Sequence, residues 1–173
     1  MKYIKKFENA HDDLIDKLQN NIINDNKIIN GFSADYEMSG AIEWTGYDYV
    51  IYATPYWEGE KILPINIMNT DGDEIDYKNI KLSKLKNEDD IKEFLIFYYK
   101  NIEEITSLLN KRTELKNVIK ILLNSVGNIF LKSYKLNIGD IDPDQIPNSD
   151  ISNLLELFNT EYPHIIQSNK FNL

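Results

Sequence analysis

Asp76 and Lys78 are separated by a single residue, in a segment rich in β-branched and aromatic side chains. On a β-strand this spacing places both side chains on the same face of the sheet. In metal-dependent nucleases, two carboxylates hold a divalent cation and a lysine stabilises the attacking water or the charged transition state. Glu58, Glu60 or Asp48 could supply the second carboxylate. Because the same acid-x-lysine spacing occurs at three other places, this hydrolase site is an alternative hypothesis.

Residues 69–76 (NTDGDEID) concentrate oxygen ligands around a glycine, a composition typical of calcium-binding loops. An EF-hand loop in this register would need its closing glutamate where the chain has Ile80 or Leu82. The dipeptide Asp71-Gly72 is instead a strong hairpin signal, because both central positions of such a turn favour positive φ. We therefore predict a hairpin turn here and leave a weak cation site in the same segment open.

Two carboxylates, Glu58 and Glu60, follow the aromatic pair Tyr56 and Trp57. Glycosidases use two carboxylates that flank a sugar, often above an aromatic platform. A spacing of two residues puts both carboxylates on one face of one strand, which is closer than most such catalytic pairs. A carbohydrate-binding module is therefore the third hypothesis for this chain.

The chain contains no cysteine and only two histidines, His11 and His164. It therefore has no disulfide, thiolate nucleophile or cysteine-ligated zinc. A serine triad would need His164 as its base, and neither a nucleophile-elbow motif nor a phosphate loop is present. His11 lies on the apolar stripe of a predicted helix and is interpreted as a core-edge residue. We therefore assign no catalytic residue, metal ligand or cofactor, and expect a protein that is not an enzyme.

The net charge of −9 is unevenly distributed along the chain. Residues 31–77 carry ten acidic side chains against Lys61 alone, whereas residues 78–136 carry twelve basic and seven acidic side chains. An acidic protein is a poor candidate for binding duplex nucleic acid, because affinity for phosphate comes from lysine and arginine. The lysines of the basic segment alternate with glutamates at helical spacing, which indicates a solvated helix face.

Residues 44–60 (WTGYDYVIYATPYWEGE) combine six aromatic rings with three carboxylates and contain no basic side chain. Rigid aromatic rings beside carboxylates are typical of protein-binding hot spots, since they offer contact area together with acceptors for lysine and arginine. The competing interpretation is that the rings fill the core and the acids face water. The predicted partner-binding residues are Asp48, Tyr52, Tyr56, Trp57, Glu58 and Glu60.

The leading hypothesis is a non-catalytic acidic interaction protein, of the inhibitor or immunity type, whose partner is a basic nucleic-acid-handling enzyme such as a nuclease or a defence effector. Carboxylates placed where phosphates would lie can occupy a basic groove, and opposite charge accelerates the encounter. Lysine outnumbers arginine 18 to 1, and asparagine and isoleucine are abundant, a bias of AT-rich genomes that suggests a low-GC bacterium or its phage. The longest apolar run has six residues, which is too short to span a membrane, so we expect a cytoplasmic protein without membrane binding. The acidic charge leads us to expect no direct binding of nucleic acid either.

The apolar periodicities predict an α+β protein with a single domain over residues 1–173: a three-stranded or slightly larger antiparallel sheet packed against an N-terminal helix and a helical hairpin, with a short C-terminal helix. One long helix is the alternative to the helical hairpin, and the last ten residues are expected to fray. The predicted helices lie at 3–23, 87–110, 115–129 and around 151–158, and the predicted strands at 47–54, 62–68 and 75–82.

Alternation within the first predicted strand divides its residues between two faces. Tyr47, Tyr49 and Ile51 are expected on the core side, and Asp48 and Tyr52 on the solvent side. In the third strand the apolar residues change face, which predicts a bulge near residues 78 and 79.

Overall fold

The computed structural model describes residues 2–25, 27–36, 41–53, 62–81 and 85–170. These residues divide into two compact units, Met1–Thr106 and Ser107–Leu173. The single domain expected from the sequence stays a prediction. Within the described residues no helix is both long and apolar enough to cross a membrane.

The first unit is an α+β assembly built on a six-stranded antiparallel sheet whose strands pair in chain order. The prediction of a three-stranded sheet is therefore wrong, although the α+β class is correct. The elements in chain order are α1 (Lys2–Ile23), β1 (Ile28–Ile29), β2 (Phe32–Tyr36), β3 (Ile42–Gly46), β4 (Tyr49–Ala53), β5 (Ile62–Asn69), β6 (Glu74–Lys81) and the start of α2 (Glu88–Val126).

The three strands missed by the sequence prediction lie between residues 28 and 46. The first two of them, β1 and β2, form a hairpin with a two-residue turn at Asn30 and Gly31, whose φ angles are 51° and 89°. Asn-Gly favours this turn because both positions need positive φ. The flanking strands of two and five residues are too short for a clear period, so the turn is the informative signal.

The hairpin between β5 and β6 confirms the turn predicted at Asp71-Gly72, although of these two residues only Gly72 has a positive φ. The Asn69 side-chain oxygen accepts a hydrogen bond of 2.8 Å from the Asp73 backbone N–H, and Gly72 has a φ of 89°. The bulge was predicted in the wrong place: Ile67 pairs with Asp76 and Met68 with Glu74, which leaves Ile75 as the extra residue.

Helix α2 is continuous from Glu88 to Val126, so the predicted helical hairpin is wrong. Thr113 does not cap a second helix; its hydroxyl donates a hydrogen bond of 3.1 Å to the carbonyl of Leu109, as in a helix interior. The two apolar stripes that differ in phase, represented by Tyr98 and Leu122, are buried in different units. The apolar stripe therefore changes face along α2 because the first part of the helix packs in the core of one unit and the last part in the core of the other.

The core of the first unit is organised by a buried hydrogen bond. The indole N–H of Trp44 on β3 donates to the hydroxyl oxygen of Tyr98 on α2 over 2.9 Å, and both side chains are fully buried. The ring of Trp44 also meets Tyr99 edge to face, with centroids 6.3 Å apart. Trp44 therefore lies on the face of the sheet that packs against α2.

The second unit contains the end of α2, a two-stranded sheet and two further helices, namely β7 (Phe130–Leu131), β8 (Leu136–Asn137), α3 (Asn148–Glu161) and α4 (Pro163–Lys170). Its apolar core includes Leu122, Phe158 and Ile166. Residues 163–170 form a helix in which Ile166 is almost completely buried, so the prediction that the last ten residues fray is wrong for residues 164–170. Residues 171–173 lie outside the described residues.

Arg112, the single arginine of the chain, is 95% buried in this second unit. Its guanidinium donates to the carbonyl oxygen of Pro143, to that of Ile146 over 3.0 Å and to the side-chain oxygen of Asn148 over 2.6 Å. The planar fork of donors thus holds the loop before α3 against α2.

We predict that Tyr98→Phe lowers the free energy of unfolding by about 1–3 kcal/mol, because it leaves the buried indole N–H of Trp44 without an acceptor. Urea denaturation measures the change. The matched control is Tyr77→Phe, which removes the hydroxyl of a side chain that is 59% exposed. Equal, small effects of the two substitutions would show that the buried bond does not stabilise the fold.

Stability should also fall in alkali. Burial raises the pKa of Tyr98, and burial together with the nearby Asp25 carboxylate raises the pKa of Tyr99. An unfolded tyrosine ionises near pH 10, so above about pH 10 the unfolded state releases protons that the folded state retains. The free energy of unfolding then decreases by up to about 1.4 kcal/mol per pH unit for each such tyrosine.

Tyr98→Phe should reduce this alkaline slope, while between about pH 7 and pH 9 its slope matches that of the wild type. Urea denaturation at a series of pH values measures both slopes. An unchanged slope above about pH 10 would contradict the assignment of the pH dependence to this buried hydroxyl.

Arg112→Met should destabilise the second unit by about 2–4 kcal/mol, because three oxygen acceptors lose their donor. Arg112→Lys should recover only part of this loss, since an ammonium cannot reproduce the planar fork. Limited proteolysis of the loop at residues 140–148, in the full chain, measures the local effect. Lys120→Met, at an exposed position of the same helix, is the control; cleavage equal to that of Arg112→Met would contradict the role of the guanidinium.

Candidate functional site

The sheet of the first unit buries one face and exposes much of the other. Residues such as Trp44, Tyr49 and Ile51 point into the core and are fully buried. Their neighbours in each strand point to the opposite side, where the side chains are half-buried or exposed. We call this second side the open face; it comprises Ser33, Asp35, Glu43, Thr45, Val50, Tyr52, Ile62, Pro64, Asn66, Met68, Glu74, Tyr77, Asn79 and Lys81.

One cross-strand row of the open face combines carboxylates with tyrosines. The row contains one residue from each strand from β2 to β6, in the order Asp35, Glu43, Tyr52, Asn66 and Tyr77, and each residue pairs directly with the next. Since neighbouring strands lie about 4.8 Å apart, the row is about 19 Å long. Two acidic side chains therefore occupy one end, and two aromatic rings flank an amide at the other.

The carboxylates of this row are oriented by local hydrogen bonds. The Thr45 hydroxyl donates to the Glu43 carboxylate over 2.7 Å, and the Asp35 carboxylate accepts from the Tyr36 backbone N–H over 2.8 Å. Across the described ranges, no lysine or arginine forms an ion pair with either carboxylate. The row can therefore offer its negative charge to a basic partner.

The turns at one end of the sheet extend the acidic surface. Asp48 lies in the β3–β4 turn, and Asp71 and Asp73 lie in the β5–β6 turn. These two turns are joined by a hydrogen bond of 3.1 Å from the Thr70 backbone N–H to the Asp48 carbonyl oxygen. All three aspartates are exposed. We call Asp48, Asp71 and Asp73 the acidic turns.

The structure separates the residues that the sequence nominated for partner binding. Tyr52 lies at the centre of the cross-strand row, and Asp48 lies in the acidic turns. The core and solvent faces predicted for the strand are correct from Tyr49 to Ala53, but the placement of Tyr47 in the core is wrong. Tyr47 sits in the turn with a φ of 54° and is 61% exposed. The other four nominated residues, Tyr56, Trp57, Glu58 and Glu60, lie outside the described residues.

Sequence reasoning missed four of the five residues in the row: Asp35, Glu43, Asn66 and Tyr77. Two of them belong to strands that were not predicted. The alternation in 42–46 (IEWTG) could have identified Glu43 as an outward residue, because Ile42 and Trp44 on either side of it are apolar. The pairing of five strands into one row depends on register, which a single sequence does not reveal.

The alternative hydrolase site lies only partly within the described residues, because Glu58 and Glu60, two of its candidate second carboxylates, are outside them. Asp76 and Lys78 share a face of β6, as predicted from their spacing, and both are exposed. The Lys78 amine donates to the side-chain oxygen of Asn101 on α2. Among the described residues, no group of three or more histidine and carboxylate side chains could hold a metal ion, and this includes the segment 69–76.

No family model, curated protein or solved structure matches this chain. The open face and the acidic turns are therefore interpreted from their own geometry and charge.

Proposed function

We propose that this chain is a non-catalytic acidic interaction protein, of the inhibitor or immunity type, that binds a basic nucleic-acid-handling enzyme through the open face and the acidic turns. The observation that carries the proposal is the cross-strand row, in which Asp35 and Glu43 are followed by Tyr52 and Tyr77 on an accessible sheet surface. We place its action in the cytoplasm of a bacterial or phage-infected cell.

The chemistry of the row suits lysine and arginine side chains. Carboxylates accept charge-assisted hydrogen bonds, and a guanidinium above a tyrosine ring gains a cation–π contact. A sheet surface also holds these groups at fixed spacing, so the partner does not have to order them on binding. A basic protein surface can therefore use both ends of the row at once.

A groove that binds nucleic acid is the most direct source of such a surface. These grooves are lined with lysine and arginine that neutralise phosphates. Asp35, Glu43 and the acidic turns offer anionic oxygens in place of the phosphates, and within the described ranges no lysine or arginine forms an ion pair with them. Occupation of the groove would exclude nucleic acid without any chemical step, which is consistent with an inhibitor.

The experiment uses the immobilised full chain to capture proteins from cells of its source organism. The proposal predicts capture of a basic nucleic-acid-handling enzyme whose cleavage of DNA or RNA is inhibited by a stoichiometric amount of the purified chain. The double substitution Asp35→Lys with Glu43→Lys should weaken this binding by at least about tenfold, because two contacts change from attraction to repulsion.

The matched control is Glu103→Lys with Glu104→Lys, which changes the net charge equally at exposed positions of α2. Retained binding in this control and lost binding in the open-face variant would support the proposal. Equal losses would mean that only net charge matters, and capture of no basic enzyme would contradict the proposed function.

A further inference from the structure

Strand β6 is a long, accessible edge of the sheet. It has eight residues, and within the described part of the chain no strand pairs with its outer side. Six of the eight side chains are exposed, including Tyr77 at 59%. An edge of this kind presents backbone N–H and C=O groups that can bind another strand. The Tyr77 backbone N–H donates to the Asp76 carboxylate over 2.8 Å and would exchange this local bond for one to the added strand. The opposite edge strand, β1, has only two residues.

The charges of β6 are complementary to themselves. Asp76 and Lys78 stand on either side of Tyr77, on the other face of the strand from its ring. If a second copy of β6 runs antiparallel with Tyr77 opposite Tyr77, each Asp76 lies directly opposite Lys78 of the other copy. Opposite charges at directly paired positions favour strand pairing, and facing aromatic rings do the same.

We propose that this chain forms a twofold symmetric homodimer in which two β6 strands pair antiparallel about Tyr77. The two six-stranded sheets then form one continuous sheet of twelve strands, with the two cross-strand rows end to end on the same side. The dimer interface is isologous, which means that each copy contributes the same residues to it. The inference does not rest on the proposed function.

The register is selected by charge. A shift of one residue in the centre of symmetry, to Lys78, would place the two Lys78 side chains against each other, which is unfavourable. Centring on Tyr77 gives two opposite-charge pairs, in which Lys78 and Asp76 exchange their hydrogen bonds to the Asn101 side chain and the Tyr77 backbone N–H for contacts across the interface. The bulge at Ile75 ends the regular ladder close to Asp76, so the interface is short. We therefore expect a weak dimer, with a dissociation constant of roughly 1–100 µM.

A single introduced cysteine tests this register, because the chain has no cysteine of its own. In Tyr77→Cys the two Cα atoms would lie about 4.5–5.5 Å apart, a distance that a disulfide can span. Mild oxidation should therefore give a covalent dimer of the full chain. In the control Asn79→Cys, two residues along the same face, the two Cα atoms would lie about 14 Å apart, too far for a disulfide.

We expect rapid disulfide cross-linking of Tyr77→Cys and little cross-linking of Asn79→Cys. Equal cross-linking of the two variants, or faster cross-linking of Asn79→Cys, would overturn the register. Thermal melting of each reduced variant shows that the fold is retained.

Sedimentation equilibrium measures the dissociation constant of the dimer without a cross-link, and so tests the contribution of the two charge pairs. Asp76→Lys should weaken the dimer by about tenfold, because both pairs become repulsive, while Asp71→Lys in the adjacent turn should leave it unchanged. The exchange Asp76→Lys with Lys78→Asp restores opposite charges and should restore dimerisation. A wild-type chain that remains monomeric up to about 1 mM would overturn the proposal.

Discussion

The structure of the first unit depends on the burial of one face of its sheet, where the Trp44 indole donates a hydrogen bond to the Tyr98 hydroxyl on α2. A strand alternates its side chains, so the choice made at Trp44 applies to every other residue of β3 and, through pairing, to every strand of the sheet. With Trp44 held against α2, Glu43 must point to the opposite side. The acidic and aromatic row of the open face is a consequence of that orientation.

The same constraint explains why charge is tolerated so densely between residues 31 and 77. Within this part of the chain the described carboxylates lie on the outward side of strands, at the exposed edge strand or in turns, and none is buried. A carboxylate on the inner side would lie beside residues such as Ile51 and Ile65, where desolvation would be costly without a paired cation. One-sided burial thus concentrates negative charge on one surface of the unit.

Much of the fold could be predicted from local pattern. Helix α1 and strands β4 to β6 have clear periods, and the Asp71-Gly72 turn has a specific conformational requirement. Strands β1 and β2 show no clear period, so the Asn30-Gly31 turn is their best signal, whereas the alternation of β3 is a signal that the prediction missed. The change of apolar stripe along α2 predicts a break in the helix. The helix is continuous because its two stripes are buried in the cores of two different units, which a sequence alone does not show. The burial of Ile166, which orders α4, likewise depends on tertiary packing.

The candidate site was less predictable, because it is assembled by register. Tyr52 was identified by alternation within one strand, but its neighbours Glu43 and Asn66 come from two other strands. No local pattern places these three residues side by side. The pairing follows from loop lengths and from burial of the opposite face, which are properties of the whole sheet.

Tyrosine iodination of the native chain, followed by mass spectrometry, tests the one-sided burial of the sheet most directly. At a protein concentration well below the dissociation constant of the proposed dimer, Tyr77 on the open face should react more than about tenfold faster than Tyr49 and Tyr98, which are fully buried. Mild denaturation should remove this difference. Iodination of Tyr49 as rapid as that of Tyr77 in the native chain would contradict the assignment of the two faces.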